Sequence, residues 1–175
     1  VVRYTAKAGN VLFREDQEDK PEASVFYVAY TADDAKGSNR PVTFFYNGGP
    51  GSSSVWLHMG SLAPVRVESA SASATAPPPY HLVPNRYSLI DKSDLVFIDA
   101  VGTGFSRSLT TPEETKKRFY GVKQDIDYLS RIVFDWLVKN ERLQSRKYLV
   151  GESYGGFRGP RLTYTLQTDY GVGIN

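Results

Sequence analysis

The chain has 175 residues, of which 41% are hydrophobic and 13% aromatic, enough apolar material for the core of one domain. The formal net charge of +2 and the lack of a basic stripe argue against a nucleic-acid-binding protein. There is no cysteine, which excludes disulfide bonds, thiol chemistry and cysteine-ligated zinc. No apolar run approaches the length needed to span a membrane. We expect neither a metal site nor a cofactor.

The first forty residues predict an antiparallel hairpin with polar connections. Residues 1–6 and 24–30 are its predicted strands, and the second is rich in valine, phenylalanine and tyrosine. The charged run at 14–20 predicts a solvated turn between them. Residues 33–40 contain a Gly-Ser-Asn sequence typical of turns and predict a second polar connection.

A glycine-rich segment follows a predicted buried strand. Residues 42–46, Val-Thr-Phe-Phe-Tyr, form the strand and lead directly into Asn-Gly-Gly-Pro-Gly-Ser-Ser-Ser at 47–54. Because glycine has no Cβ, the backbone here can approach a substrate closely. The loop is therefore a candidate for donating one N–H group, that of Gly49, to an oxyanion. The alternative is an ordinary tight Gly-Pro loop.

The middle of the chain contains a low-complexity stretch and the longest helical pattern. Residues 69–79, rich in Ser, Ala, Thr and Pro, predict a mobile excursion without a packed core. Thr111, Pro112 and two glutamates after them predict a helix start. An apolar stripe downstream predicts one face of this helix and consists of Val122, Ile126, Leu129, Val133, Phe134 and Leu137. Charged residues of the segment are assigned to its solvated side, namely Lys116, Lys117, Asp125, Asp127 and Arg131.

The pentapeptide Gly-Glu-Ser-Tyr-Gly at 151–155 is the most informative motif. It follows the apolar run 148–150 and precedes helix-compatible residues, which is the strand–turn–helix context of a nucleophile elbow. In that context Ser153 is the candidate nucleophile, and the backbone N–H of Tyr154 is the other oxyanion donor. The alternative is a structural turn, since small residues flank many turns. A helix between two strands also predicts a parallel sheet.

Together these motifs resemble the serine carboxypeptidase family, peptidase family S10. The similarity lies in segments 47–53 and 151–156 and in two segments between them, Leu-Val-Phe-Ile-Asp at 95–99 and Gly-Thr-Gly-Phe-Ser at 102–106. It implies an α/β protein of α/β-hydrolase fold, with a doubly wound, mainly parallel sheet and an antiparallel opening hairpin. Two positions depart from the family pattern. Ser52 replaces a disulfide-bonded cysteine of many members, and Ser61 replaces a glutamate of the best-known members.

The resemblance implies a site for the terminal carboxylate of a peptide. In carboxypeptidases the groups matching Asn47, Gly48 and Glu152 bind this carboxylate. Asn47 has an alternative role, closing its own turn through a side-chain hydrogen bond. The implied activity is removal of C-terminal residues through an acyl-enzyme at Ser153. An esterase or acyltransferase on the same scaffold, and a non-catalytic fragment, are the alternatives.

The order of the catalytic groups predicts that residues 1–175 are the N-terminal portion of a single α/β-hydrolase domain. In this fold the triad acid and histidine follow the serine, whereas His58 and His81 precede Ser153 and only Asp169 follows it. We expect these two histidines to be packing or surface residues and the chain alone to be inactive. The expected partners are a peptide with a free C-terminal carboxylate and the missing C-terminal part of the same protein, not nucleic acid or membrane. The resemblance implies a secreted or periplasmic location.

Overall fold

The structure is a computed structural model that describes residues 2–15, 20–34, 39–71, 74, 75 and 77–175. Residues 16–19, 35–38, 72, 73 and 76, which belong to the predicted polar connections and the low-complexity stretch, lie outside the described residues. The strands of the described residues are β1 (Tyr4–Phe13), β2 (Ala23–Ala32), β3 (Val42–Tyr46), β4 (Val65–Val67), β5 (Ser69–Ser71), β6 (Ala74–Thr75), β7 (Leu82–Pro84), β8 (Asp94–Ile98), β9 (Arg107–Ser108) and β10 (Lys147–Gly151). The helices are α1 (Val55–Leu57), α2 (Pro112–Phe119), α3 (Val122–Lys139) and α4 (Tyr154–Tyr170), with a π-helical turn at His58–Leu62.

One mixed sheet forms the centre of the fold. Its strand order is β1-β2-β8-β3-β10, and the short β9 pairs with β2. β3 runs parallel to both β8 and β10, whereas β1, β2 and β9 pair in antiparallel fashion. The predicted α/β-hydrolase fold with an opening hairpin is confirmed. The bounds of the hairpin strands differ from the predicted residues 1–6 and 24–30: β1 starts and ends later, and β2 is longer at both ends. The sequence did not reveal the extent of β1 because this strand is mostly exposed and its apolar residues do not mark its full length.

The central strands are buried on both faces. Every residue of β3 and β8 is buried, as expected for parallel strands covered by other elements on either side. On one face Phe44 packs edge-on against Trp136 of α3, with ring centroids 5.4 Å apart. On the other face Phe45 stacks on Phe97 at 4.6 Å, and the segment around Leu57, Ala63 and Ile90 covers them. Side chains alternate between the two cores because successive strand residues point to opposite faces.

Two helices replace the single long helix that the sequence predicts. The predicted cap is confirmed, since the Thr111 hydroxyl accepts a hydrogen bond from the Glu114 backbone N–H at 3.3 Å. The break lies between α2 and α3, where Gly121 has an extended backbone with φ −84° and ψ 155°. Glycine is a poor helix former, so the interruption falls where helix propensity is lowest.

The apolar stripe of α3 is confirmed in its centre and wrong at its start. Its buried members are Ile126, Leu129, Val133 and Leu137, while Val122 is exposed. The assignment of Asp125 to the solvated side is also wrong. Asp125 is only 6% exposed, and its carboxylate accepts a hydrogen bond from Arg158 of α4 at 2.6 Å. Pairing with a cation compensates the burial of this charge.

Two small strand pairs lie outside the main sheet. β4 pairs with β7, and β5 pairs with β6, both antiparallel. The second pair lies in the stretch where the sequence predicts a mobile excursion, a prediction that did not include these two short strands. Among the described residues, no helix has the length and apolar character required to cross a membrane.

Candidate active site

The parallel pairing of β3 and β10 brings the two predicted loops together. Tyr46 and Gly151 are partners in the last step of this ladder, and the Glu152 N–H donates to the Tyr46 carbonyl at 3.4 Å. The loops that follow therefore leave the sheet side by side at the carboxyl ends of their strands. This edge is where open α/β sheets place their ligands.

The turn at Ser153 has the geometry of a nucleophile elbow. Ser153 has φ 54° and ψ −119°, a backbone conformation that residues other than glycine rarely adopt. The Gly155 N–H donates to Glu152 O at 2.7 Å, and α4 begins directly after the serine. Such a conformation costs about 1–3 kcal/mol and persists where surrounding structure enforces it. The Ser153 side chain is consequently presented in an exposed position.

Close backbone contacts explain the two glycines that flank the serine. A Cβ on Gly151 would lie 2.1 Å from Gly155 O, and a Cβ on Gly155 would lie 2.6 Å from Tyr46 O. Both distances are far shorter than van der Waals contact, and the opposing atoms are backbone. The next glycine differs, because a Cβ on Gly156 would meet nothing closer than Gly151 O at 3.9 Å. Strand, turn and helix can crowd together only while Gly151 and Gly155 lack side chains.

The glycine-rich loop contacts the elbow through Gly48. A Cβ on Gly48 would lie 2.5 Å from the Tyr154 backbone nitrogen and 2.6 Å from Glu152 O. Gly49 has φ +105°, which turns the chain away immediately after this contact. The structure therefore brings the loop that carries the Gly49 N–H next to the residue that carries the Tyr154 N–H.

The candidate carboxylate-binding residues are also neighbours. Asn47 Nδ2 donates to Glu152 Oε2 at 3.3 Å, and Asn47 Oδ1 accepts from the Leu57 N–H at 3.2 Å. Asn47 is buried, while Glu152 is exposed. Asn47 thus closes its own loop and reaches Glu152 at the same time. Ser61 lies in the π-helical turn, where its carbonyl accepts from Asn85 Nδ2 at 2.6 Å.

The two histidines occupy a packing position and a surface position. His58 Nε2 is hydrogen-bonded to the Tyr30 hydroxyl at 2.7 Å, and its ring lies 4.6 Å from that of Phe97. Burial lowers the pKa of His58 from 6.5 to about 4, and burial raises the pKa of Tyr30 to about 12. His81 is exposed, and its carbonyl accepts from the Glu68 N–H. The prediction that His58 and His81 are packing or surface residues agrees with these positions.

The packing of His58 predicts a pH-dependent stability. Below about pH 6.5 an unfolded chain protonates this imidazole, whereas the folded chain does not until about pH 4. As the pH is lowered from 6.5 to about 4, the free energy of unfolding should therefore decrease by at most about 3 kcal/mol, or about 2 kcal/mol after allowing for partial exposure of the ring.

His58→Gln keeps a hydrogen-bonding group for Tyr30 but does not titrate. Urea unfolding of both proteins between pH 4 and 7 should therefore give a smaller loss of stability for the variant. Parallel curves would show that His58 does not contribute to the acid sensitivity.

A buried acid connects the loops beneath the site. Asp99, directly after β8, accepts from the Ser54 N–H at 2.8 Å and from the Phe105 N–H at 3.2 Å. Burial raises the pKa of Asp99, and these two N–H groups oppose that shift. A Cβ on Gly104 would overlap the carboxylate, at 1.9 Å from Oδ2. Asp99 therefore ties the end of the glycine-rich loop to the Gly-Thr-Gly-Phe-Ser segment.

Sequence reasoning missed the buried polar pair behind the elbow. Arg158 and Asp125 line a cavity of about 300 Å³ that also reaches Tyr154 and Gly51. A signal for Arg158 exists in the sequence, because it lies four and eight residues before Leu162 and Leu166, the buried leucines of α4. That spacing places the arginine on the apolar face of its helix.

Known proteins resemble this chain over most of its length. Residues 4–171 match the serine carboxypeptidase family. The pheromone-processing carboxypeptidase KEX1 of Saccharomyces cerevisiae is 32% identical over 161 residues, which is 85% of this chain and 20% of the yeast protein. Serine carboxypeptidase-like 36 of Arabidopsis thaliana is 30% identical over 150 residues, 85% of this chain and 29% of the plant protein. The chain thus spans less than a third of the length of these relatives.

A solved structure supports the fold independently. The peroxisomal α/β-hydrolase Lpx1 from Saccharomyces cerevisiae superimposes with a TM-score of 0.50 over 96% of this chain and 41% of that chain, at 13% sequence identity. A likeness at this identity concerns the fold alone. Together with the family match, it establishes that the chain has an α/β-hydrolase fold and belongs to the serine carboxypeptidase family.

Proposed function

We propose that the protein containing this chain is a serine carboxypeptidase that releases C-terminal residues through an acyl-enzyme at Ser153. Family membership and relatives named as carboxypeptidases support the reaction class. The observation that carries the residue assignment is the contact between the two loops, where Gly48 lies against the Tyr154 backbone nitrogen. That contact supports the assignment of the exposed Ser153 as nucleophile, with the Gly49 and Tyr154 N–H groups as candidate oxyanion donors.

The proposed reaction is acyl transfer in two steps. Ser153 Oγ attacks the carbonyl carbon of the last peptide bond, and the Gly49 and Tyr154 N–H groups stabilise the negative charge that develops on the carbonyl oxygen. The serine proton passes through a histidine to the departing amine, which leaves as the free C-terminal residue. Water then hydrolyses the ester, with the same histidine acting as its base.

We propose that the histidine and its acid lie outside residues 1–175. His58 is engaged with Tyr30, and His81 precedes Ser153 in the chain, contrary to the order of this fold. The chain spans only 20% and 29% of the two relatives described above, which leaves ample length for both groups. A secreted or periplasmic location is part of the same proposal and is inherited from the family resemblance.

The proposed substrate carboxylate is bound by Asn47, Glu152 and the Gly48 N–H. Because Asn47 Oδ1 is occupied by the Leu57 N–H, the amide nitrogen is directed toward the exposed Glu152. A donor held in this way can bind a carboxylate without losing side-chain entropy on binding. This preorganisation favours a substrate with a free terminal carboxylate over a neutral ester.

Asn47→Ala in the full-length protein tests this assignment. Loss of one hydrogen bond to a charged group is worth about 1.5–3 kcal/mol, so peptide turnover should fall about ten- to a hundredfold. Small neutral esters, which have no carboxylate to bind, should be affected far less. The measurement is kcat/KM on an N-blocked dipeptide and on a matched ester.

Asn47→Asp is the matched control, because it keeps an oxygen acceptor for the Leu57 N–H and so keeps the loop closed. It replaces the donor by a negative charge, and peptide turnover should again fall while ester turnover persists. If kcat/KM falls equally for the peptide and the ester in both variants, Asn47 only shapes the loop, and an esterase or acyltransferase is favoured.

A further inference from the structure

Arg158 is a buried cation that joins three parts of the candidate site. It lies on α4 and its side chain is 2% exposed. Its Nε donates to Asp125 Oδ2 at 2.6 Å and its Nη2 donates to Asp125 Oδ1 at 3.1 Å, a two-pronged ion pair. Its Nη1 donates to the backbone carbonyl of Asn47 at 2.7 Å. All three nitrogens are therefore committed within the protein.

The bond to Asn47 sets the orientation of the glycine-rich loop. The Asn47–Gly48 peptide bond is planar and trans, so its C=O and N–H groups point in opposite directions. Since the carbonyl is directed at Arg158, the Gly48 N–H is directed away from it. Gly48 itself lies against Tyr154, and Gly49 follows with its candidate oxyanion donor.

The guanidinium also contacts the residue after the nucleophile. Its central carbon lies 5.0 Å from the centroid of the Tyr154 ring, a cation–π distance. The Tyr154 ring also packs against Phe157, with ring centroids 5.2 Å apart. Arg158 thus contacts both the glycine-rich loop and the residue after Ser153.

We propose that Arg158, held by Asp125, is a positioning residue for the oxyanion-stabilising groups of Ser153 chemistry. It fixes the loop that carries the Gly49 N–H and the residue that carries the Tyr154 N–H. Arginine suits this task because its planar fork pairs with both oxygens of a carboxylate while a further N–H group serves a carbonyl, in a fixed geometry that the ammonium of lysine does not provide. The inference rests on the proposed function and concerns the same candidate active site.

Arg158→Lys is the test, measured in the full-length protein with an N-blocked dipeptide and a small neutral ester. Oxyanion stabilisation acts on the transition state of both reactions. We expect kcat to fall about tenfold or more for both substrates. KM for the ester should change little, whereas KM for the peptide should rise, because the same loop carries the Asn47 and Gly48 groups proposed to bind its carboxylate.

Arg142→Lys is a matched control for the loss of an arginine that pairs with a buried carboxylate. Arg142 pairs with the buried Asp94 at 2.6 Å and donates to the Arg40 carbonyl at 2.6 Å, which is the same chemistry at the opposite edge of the sheet. Its variant should lose stability but keep kcat. If Arg158→Lys also loses only stability and keeps kcat, Arg158 is structural and the inference is wrong.

Asp125→Asn keeps the experiment decisive if Arg158→Lys does not fold. This variant weakens the support of Arg158 while its bond to the Asn47 carbonyl can persist, so kcat should fall in the same direction by a smaller factor. An unchanged kcat would again overturn the inference. Ser153→Ala separates the two proposals, because activity that survives it refutes the proposed nucleophile whatever Arg158 does.

Discussion

Replacement of Ser153 by alanine is expected to lower peptide turnover by on the order of 10⁶-fold in the full-length protein. The hydroxyl is the proposed nucleophile, and an alanine at this position cannot form an acyl-enzyme. Alanine has the same steric limits as serine at φ 54°, and the Ser153 side chain makes no capping hydrogen bond to α4. Stability should therefore be unchanged, so the loss would be chemical. Steady-state kinetics with a melting curve for each protein make the comparison.

The 175-residue chain gives a second measure of the same chemistry. A serine without a base is a weak nucleophile at neutral pH, and His58 is hydrogen-bonded to Tyr30. We expect the isolated chain to release no product from an N-blocked dipeptide. Turnover by this chain that disappears in Ser153→Ala would contradict the proposal and would assign the base to one of its two histidines.

Gly155→Ala is expected to destabilise the protein by about 3 kcal/mol, the upper end of the usual cost of overpacking. The new Cβ would lie 2.6 Å from the Tyr46 carbonyl oxygen, which belongs to the central strand β3 and cannot move without disturbing the sheet. Either the elbow shifts or the strand does, and both displace Ser153. Activity should fall together with the free energy of unfolding in urea.

Gly156→Ala provides the neighbouring control in the same helix turn. Its Cβ would have 3.9 Å of clearance from the Gly151 carbonyl oxygen, and alanine is a better helix former than glycine by about 1 kcal/mol. This variant should be as stable as the parent or more so. If both variants behave alike, the close approach at Gly155 does not determine the geometry of the turn.

The strands and the two loops could be predicted from sequence because their signals are local. Residues 42–46 and 148–150 are short apolar runs, and each leads directly into a glycine-containing motif. Parallel strands bring such motifs to one edge, so the neighbourhood of Asn47 and Glu152 follows from topology once the strands are known. The family resemblance added the roles of these residues, which remain predictions.

The buried Arg158–Asp125 pair and the packing of His58 could not be predicted, because they depend on contacts between segments that are distant in sequence. Arg158 and Asp125 are 33 residues apart, and Asp125 was assigned to the solvated side because of its charge, although it lies four residues before Leu129 on the apolar stripe. The break at Gly121 was missed because every residue of the predicted apolar stripe lies in α3, so the stripe gives no information on where the helix begins relative to Thr111. His58 could be judged only from chain order, since its partners Tyr30 and Phe97 come from strands that sequence does not pair.

The absence of side chains at Gly48, Gly151 and Gly155 has a consequence for how this site can diverge. The two loops and the helix meet through main-chain atoms, which every amino acid shares. The location of Ser153 is therefore insensitive to the identity of most surrounding residues, provided that these three stay glycine. Exposed positions such as Glu152 can then change, and with them the proposed preference for substrates, while the backbone position of Ser153 is retained.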